Sequence, residues 1–165
     1  MNGSGSTSTH TLTNWTYDMG NGQTATGQNA GFYYTQAGTY TITLTATNEV
    51  GCSGTTTFSP MRVLELPLAQ LTASSNAGCA PFLVNFTNGS SVQGNGMPLK
   101  TFAWSFADDN STQTTTSVGQ SVNHTFLTEG NYNVTLVATD VFGCASSPAS
   151  VQISITKPVA TFTVK

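Results

Sequence analysis

Residues 34–52 read Tyr34-Thr-Gln-Ala-Gly38-Thr-Tyr40-Thr-Ile42-Thr-Leu44-Thr-Ala46-Thr-Asn48-Glu-Val-Gly51-Cys52. Residues 126–144 read Phe126-Leu-Thr-Glu-Gly130-Asn-Tyr132-Asn-Val134-Thr-Leu136-Val-Ala138-Thr-Asp140-Val-Phe-Gly143-Cys144. Gly, Tyr, Leu, Ala, Gly and Cys recur in register. Alternation with period two, Thr and Asn on one side and apolar residues on the other, marks each stretch as a half-buried strand. Upstream, Trp15-Thr-Tyr17-Asp-Met19-Gly20-Asn21-Gly22 answers Phe102-Ala-Trp104-Ser-Phe106-Ala107-Asp108-Asp109. The chain is therefore built from a repeated unit. Repeats of this kind serve as spacers or binding modules in arrays, whereas catalytic sites are rarely duplicated in so short a chain.

Working outward from these strands gives an all-β chain with turns about every ten residues, the pattern of an immunoglobulin-like sandwich. Repeat 2 holds seven expected strands: A at 68–73, B at 82–87, C at 100–106, a short C′ near 112–116, E at 121–126, F at 132–139 and G at 149–155. Repeat 1 begins later. Asn2-Gly3-Ser4 matches Asn88-Gly89-Ser90, which follows strand B, so repeat 1 is expected to lack strands A and B. At the other end Pro158-Val-Ala160-Thr-Phe162-Thr matches Pro67-Leu-Ala69-Gln-Leu71-Thr, the start of strand A. The expected domains are a partial repeat at 1–66, a complete repeat at 67–157, and at 158–165 the first strand of a further repeat or an exchanged tail strand. Two arrangements would cover the exposed half-sandwich: a longer array of which this is a window, or donation of a strand from one chain to the next.

Composition narrows the function. Charged residues make up 7% of the chain, against roughly 25% in ordinary domains. With four Lys and Arg in all, the basic footprint that nucleic-acid binding requires is missing. No apolar run reaches about 18 residues, so membrane insertion by a helix is not expected. The start, Met1-Asn-Gly-Ser-Gly, has neither the basic nor the apolar segment of a signal peptide.

The motifs resemble the PKD domain, a β-sandwich module. Its signature runs Trp-Asp-Phe-Gly-Asp-Gly on strand C, then His-x-Tyr, Gly-x-Tyr and Val-x-Leu-x-Val. Repeat 2 matches at Trp104, Phe106, Asp108, His124, Phe126, Gly130, Tyr132, Val134 and Leu136. Repeat 1 matches at Asp18, Gly20, Gly22, Tyr34, Gly38, Tyr40, Ile42 and Leu44. Tyr17 stands where Trp is usual, and Ala107-Asp108-Asp109 replaces Gly-Asp-Gly. The Gly-Cys-Ala-Pro opening at 78–81 and the Gly-Cys ending look like PKD arrays in large bacterial surface adhesins. The resemblance implies an extracellular, non-enzymatic module: a spacer, an adhesion or ligand-binding unit, or an accessory domain of a secreted hydrolase.

Three cysteines, Cys52, Cys79 and Cys144, make an odd count. With the A–B and F–G turns at opposite poles, a staple from the A–B cysteine of one repeat to the F–G cysteine of the next fits the geometry. The family's co-occurring cysteines also allow a bond within one repeat, and free thiols are the third arrangement. Asp108 and Asp109 are weak candidates for a Ca²⁺ site, set against a polar turn that caps backbone groups. Asn21-Gly22 stands in their place in repeat 1, so a duplicated two-acid mechanism has no support. His10 and His124 share no ligand spacing, and His124 is expected beside strand C. Asn2, Asn14, Asn85, Asn88, Asn110, Asn123 and Asn133 head sequons, Asn133 awkwardly in mid-strand. Trp15, Tyr17, Tyr40, Trp104, Phe106 and Tyr132 form the expected core signature, with Tyr33 the best candidate for an exposed aromatic.

The expected function is structural and adhesive: a rod-like spacer or filament segment of a large surface protein, with no cofactor. Its expected partners are neighbouring repeats, copies of itself, or a surface polysaccharide or protein ligand. Two alternatives stand beside it: a carbohydrate-binding accessory module and a protomer assembling by strand exchange.

Overall fold

The computed structural model describes residues 10–108, 112–115 and 118–158. The chain divides into two compact units, Met1–Leu64 and Glu65–Lys165. Every named element is a strand.

Unit 2 contains β5 (Leu71–Ala73), β6 (Ala77–Cys79), β7 (Phe82–Asn88), β8 (Leu99–Ser105), β9 (Thr112–Thr115), β10 (Ser121–Phe126), β11 (Gly130–Asp140) and β12 (Ala149–Thr156). They form two sheets, ordered β10-β7-β5 and β6-β12-β11-β8-β9. The sandwich follows from the alternation. On β7, Val84 and Phe86 are fully buried. On β11 the buried set is Tyr132, Val134, Leu136 and Ala138, and from β8 and its end come Phe102, Trp104 and Phe106. With Val122, Phe126, Ile153 and Ile155 they fill one core between the sheets. Each large side chain removed from water there contributes about 1.5–3 kcal/mol. Phe86 sits at its centre, its ring centroid 5.6 Å from Phe106, 6.4 Å from Trp104 and 6.5 Å from Phe126.

Strand A departs from the expected single run at 68–73. Leu68 makes only a bridge to Ser91. β5 then pairs with β7, and the chain crosses through Ser74–Asn76 so that β6 pairs parallel with β12 in the other sheet. Ser74 anchors the crossing, its hydroxyl accepting the Asn85 N–H at 3.0 Å. Expected strand A is thus two pieces, one at the edge of each sheet.

The registers sort the strand ends into two poles. At the upstream pole, where the chain enters, Leu68 bridges Ser91, the Glu65 N–H donates to Asn95 Oδ1 at 3.1 Å, and the Val141 N–H donates to the Pro98 carbonyl at 3.0 Å. At the downstream pole, where the chain leaves, Thr156 pairs with Cys79 and Phe126 with Phe82.

Unit 1 contains β1 (Leu12–Asp18), β2 (Thr24–Thr26), β3 (Gly38–Asn48) and β4 (Ser53–Val63) in one antiparallel sheet, ordered β2-β1-β3-β4. These correspond to strands C, C′, F and G. Among the described residues no strand of unit 1 answers β5, β6, β7 or β10. The packing reflects this. Ile153 and Ile155 of β12 are buried, whereas Met61 and Val63, which hold the same register in β4, are half-buried. Phe58 of β4 is 61% exposed. The small core of unit 1 is Tyr17, Met19, Ala30 and Ile42.

Candidate functional sites: two poles and a histidine lock

Three local devices position the side chains singled out by the sequence. The first is the Gly-x-Tyr motif. In unit 2 the Tyr132 hydroxyl donates to the Thr128 carbonyl at 2.9 Å, and in unit 1 Tyr40 donates to the Gln36 carbonyl at 2.9 Å. The ring folds back over the glycine two residues earlier. A Cβ on Gly130 or Gly38 would meet the ring at 3.2 or 3.1 Å, a tight contact that glycine avoids. This corner locks the start of strand F to the preceding turn. Tyr132 is buried and Tyr40 half-buried, stacked on Tyr34 at 4.2 Å.

The second device joins strands C and E. His124 of β10 stacks on Phe106 at 4.1 Å and 6°, and its Nε2 lies 2.6 Å from Asp108 Oδ2. Phe126 meets the same imidazole edge-on at 4.8 Å. His124 thus lies beside strand C, as the sequence suggests, with a carboxylate partner that the sequence pattern did not supply. One oxygen of Asp108 is spent on this contact. Asp109 lies outside the described residues. Among the described residues no three His, Cys, Asp or Glu groups converge as metal ligands. The Trp104 indole N–H donates to Thr115 Oγ1 at 3.3 Å, tying β8 to β9.

The third device is the F–G turn, and it is built twice in the same way. In unit 1, Asn48 Oδ1 accepts the N–H groups of Val50 (3.2 Å) and Cys52 (2.9 Å). In unit 2, Asp140 Oδ1 accepts those of Phe142 (2.8 Å) and Cys144 (2.9 Å). Gly51 and Gly143 both take φ 86°. Asn48 and Asp140 were missed by sequence reasoning. Their signal was present: a short amide or carboxyl side chain four residues before each Gly-Cys cysteine. Asp140 is fully buried, and its Oδ2 has no hydrogen-bond partner.

The cysteines follow from this frame. Cys52 and Cys144 occupy equivalent turns, Cys144 at the upstream pole of unit 2. Cys79 ends β6 at the downstream pole, its Sγ 3.8 Å from Thr156 Oγ1. All three are free. A bond between Cys79 and Cys144 is excluded by topology. The seven residue steps of β12 span about 23 Å at roughly 3.3 Å each, while a disulfide tolerates about 7 Å between Cα atoms.

The remaining candidates are dispersed. Tyr33 is 91% exposed, as its alternation with Tyr34 suggests; among the described residues Phe58 and Phe142 are the other exposed aromatics, on β4 and in the β11–β12 turn. Tyr17, Trp104 and Phe106 are buried, and Trp15 is half-buried against the unit 1 core. Of the sequon residues, Asn88 is buried and its Oδ1 accepts the Ser90 N–H at 3.0 Å, so it is not accessible to a glycan. Asn85 Nδ2 donates to Asn123 Oδ1 at 2.6 Å across adjacent strands, and Asn14 and Asn133 are exposed. Asn2 and Asn110 lie outside the described residues.

The sequence model of the PKD domain matches residues 1–63 and again 65–155. The chain belongs to the PKD domain family. PKD domains are typically extracellular and generally non-catalytic modules. No curated protein matches the chain. Among solved structures, the fibronectin(III)-like modules of Clostridium thermocellum CbhA are 18% identical, covering 92% of this chain and 82% of theirs at a TM-score of 0.49. The PKD domain of an M14-like peptidase from a Thermoplasmatales archaeon is 21% identical, covering 58% of this chain and 100% of that one at a TM-score of 0.47. The PKD1 domain of Vibrio anguillarum Epp is 18% identical, with 57% and 100% covered and a TM-score of 0.44.

Proposed function

We propose that this tandem PKD chain is a mechanical segment of a large extracellular surface protein, a rod-like spacer or adhesive filament element. One observation carries the reading: unit 2 takes in the chain at one pole and releases it at the other, so such modules string head to tail. The linker Glu65-Leu66-Pro67 and its counterpart Thr156-Lys157-Pro158 are short, and proline restricts their direction. A surface of Thr, Ser and Asn with few charges suits an exposed, protease-resistant segment, since trypsin finds only four Lys or Arg residues. A carbohydrate-binding platform would call for aromatics in a row. Among the described residues the exposed ones, Tyr33, Phe58 and Phe142, lie in three separate segments, before β3, on β4 and in the β11–β12 turn. Strand exchange by residues 158–165 remains a proposal, and residues 159–165 lie outside the described set. The test is to label intact source cells with an antibody raised against the chain. Labelling of intact, unpermeabilised cells is the expected result. Labelling only after permeabilisation contradicts the reading.

A further inference from the structure

We propose that Cys79 forms an inter-module disulfide with the Gly-Cys cysteine of the following module, the position held here by Cys52 and Cys144. The inference rests on the array reading and deepens it: successive modules would be stapled covalently as well as joined by the linker. Three observations support it.

First, the two ends of the proposed bond sit at complementary poles. Cys79 lies level with Thr156, the last residue of β12, beside the point where the chain leaves the module. Cys144 lies in the turn at the pole where the chain enters, held there through Asp140. The same turn in unit 1 presents Cys52 in the same way. Second, the reach is short. By the match of Pro158 to Pro67, the residue that answers Leu68 in the next module is residue 159. It is three steps from Thr156, at most about 11 Å of chain. The downstream pole of one module and the upstream pole of the next must therefore be neighbours. Third, apolar side chains are left in water at both poles. Val141 and Phe142 are 45% and 69% exposed beside Cys144, and Leu83 and Leu127 are 61% and 72% exposed at the downstream pole. Pole-to-pole contact would bury both sets.

With glutathione disulfide as oxidant the chemistry balances. The Cys79 thiolate attacks one sulfur and releases one glutathione thiolate. The following module's cysteine thiolate attacks the mixed disulfide and releases the second. Two cysteine thiols are oxidised, one glutathione disulfide is reduced to two glutathiones, and two protons move from the cysteines to the glutathione thiolates.

The experiment extends the chain by one module: residues 1–157 continued by a second copy of residues 67–165, with three plus two cysteines. After equilibration with a glutathione redox couple, free thiols are alkylated and the protein is mapped by mass spectrometry. The expected result is three alkylated cysteines and a single bond joining the first Cys79 to the second Cys144. Cys79→Ser in the first copy should leave every remaining cysteine alkylated, with an unchanged circular dichroism spectrum. Five alkylated cysteines, or a bond joining any other pair, would overturn the proposal. Small-angle scattering of the same sample separates the two readings. An extended particle with five free thiols defeats the staple alone, whereas a particle folded back on itself defeats the array.

Discussion

Ala107 takes a φ of 60°, the left-handed region, in the turn after strand C. Its counterpart in unit 1 is Gly20, at φ 73°. Unit 2 thus carries a side chain at a backbone position that unit 1 fills with glycine, at a cost of about 1–2 kcal/mol. Ala107→Gly should therefore stabilise unit 2 by about 1 kcal/mol, a rise in Tm of roughly 4–8 °C for a domain of this size. The reverse change in unit 1, Gly20→Ala, should destabilise it, because the new Cβ would also lie 2.5 Å from the Thr41 carbonyl oxygen. Thermal melts of both variants check the pair. Asp140 offers a second contrast. Asn48 builds the same turn with a neutral side chain, whereas Asp140 buries a carboxylate oxygen without a partner. Asp140→Asn should hold or raise stability, and Asp140→Ala should cost about 1–3 kcal/mol by leaving two N–H groups without their acceptor, as denaturant titration would show. In unit 1, burial first, and then the charges of Tyr40 and Asp18, hold the Tyr34 phenol above its usual value of 10.0. Its hydroxyl donates to the Met19 carbonyl at 2.8 Å, which the phenolate cannot do. The folded state keeps this proton to higher pH than the unfolded chain. Its contribution is intact below about pH 10 and is lost as pH rises through the raised value. Alkaline melts of the wild type should show this loss in the unit 1 transition, and Tyr34→Phe should diminish it.

Strands B, E, F and G were legible because each is a clean alternation with one face in a shared core. Phe82-Leu-Val84-Asn-Phe86 and Tyr132-Asn-Val134-Thr-Leu136 leave no other period open. Strand A was not legible in the same way. Its apolar residues run on from Leu68 to Ala73, but edge pieces are short and are decided by which neighbour offers free backbone groups. The break is fixed by Ser74 bonding Asn85 and by β6 finding the outer edge of β12. The sites were legible in part. Repetition pointed to the cysteines, and the family signature to His124. The Asp108 partner of His124 and the Asn48 and Asp140 brackets emerge only when long-range strand pairing brings turns together. The uncovered face of β4 has a measurable consequence. With Met61 and Val63 only half-buried and Phe58 largely exposed, unit 1 removes less apolar surface from water than unit 2. Hydrogen exchange should show β1, β3 and β4 exchanging ahead of β7, β8 and β11, and calorimetry should resolve two transitions with unit 1 melting first. Equal protection of both units in the isolated chain would contradict this.

At the scale of the whole molecule, two PKD modules in tandem carry the same tyrosine corner and the same cysteine-bearing turn. Repetition of these structural devices fits the mechanical role proposed above. The central claim is that the chain is one stretch of a long surface array. Its most direct test is the mass of the native protein on a denaturing gel, detected with an antibody to this chain, with and without reductant. The account predicts a reduced mass many times 17.2 kDa. A reduced band near 17 kDa would contradict it and mark a short protomer whose open sheet must be covered by a neighbouring chain.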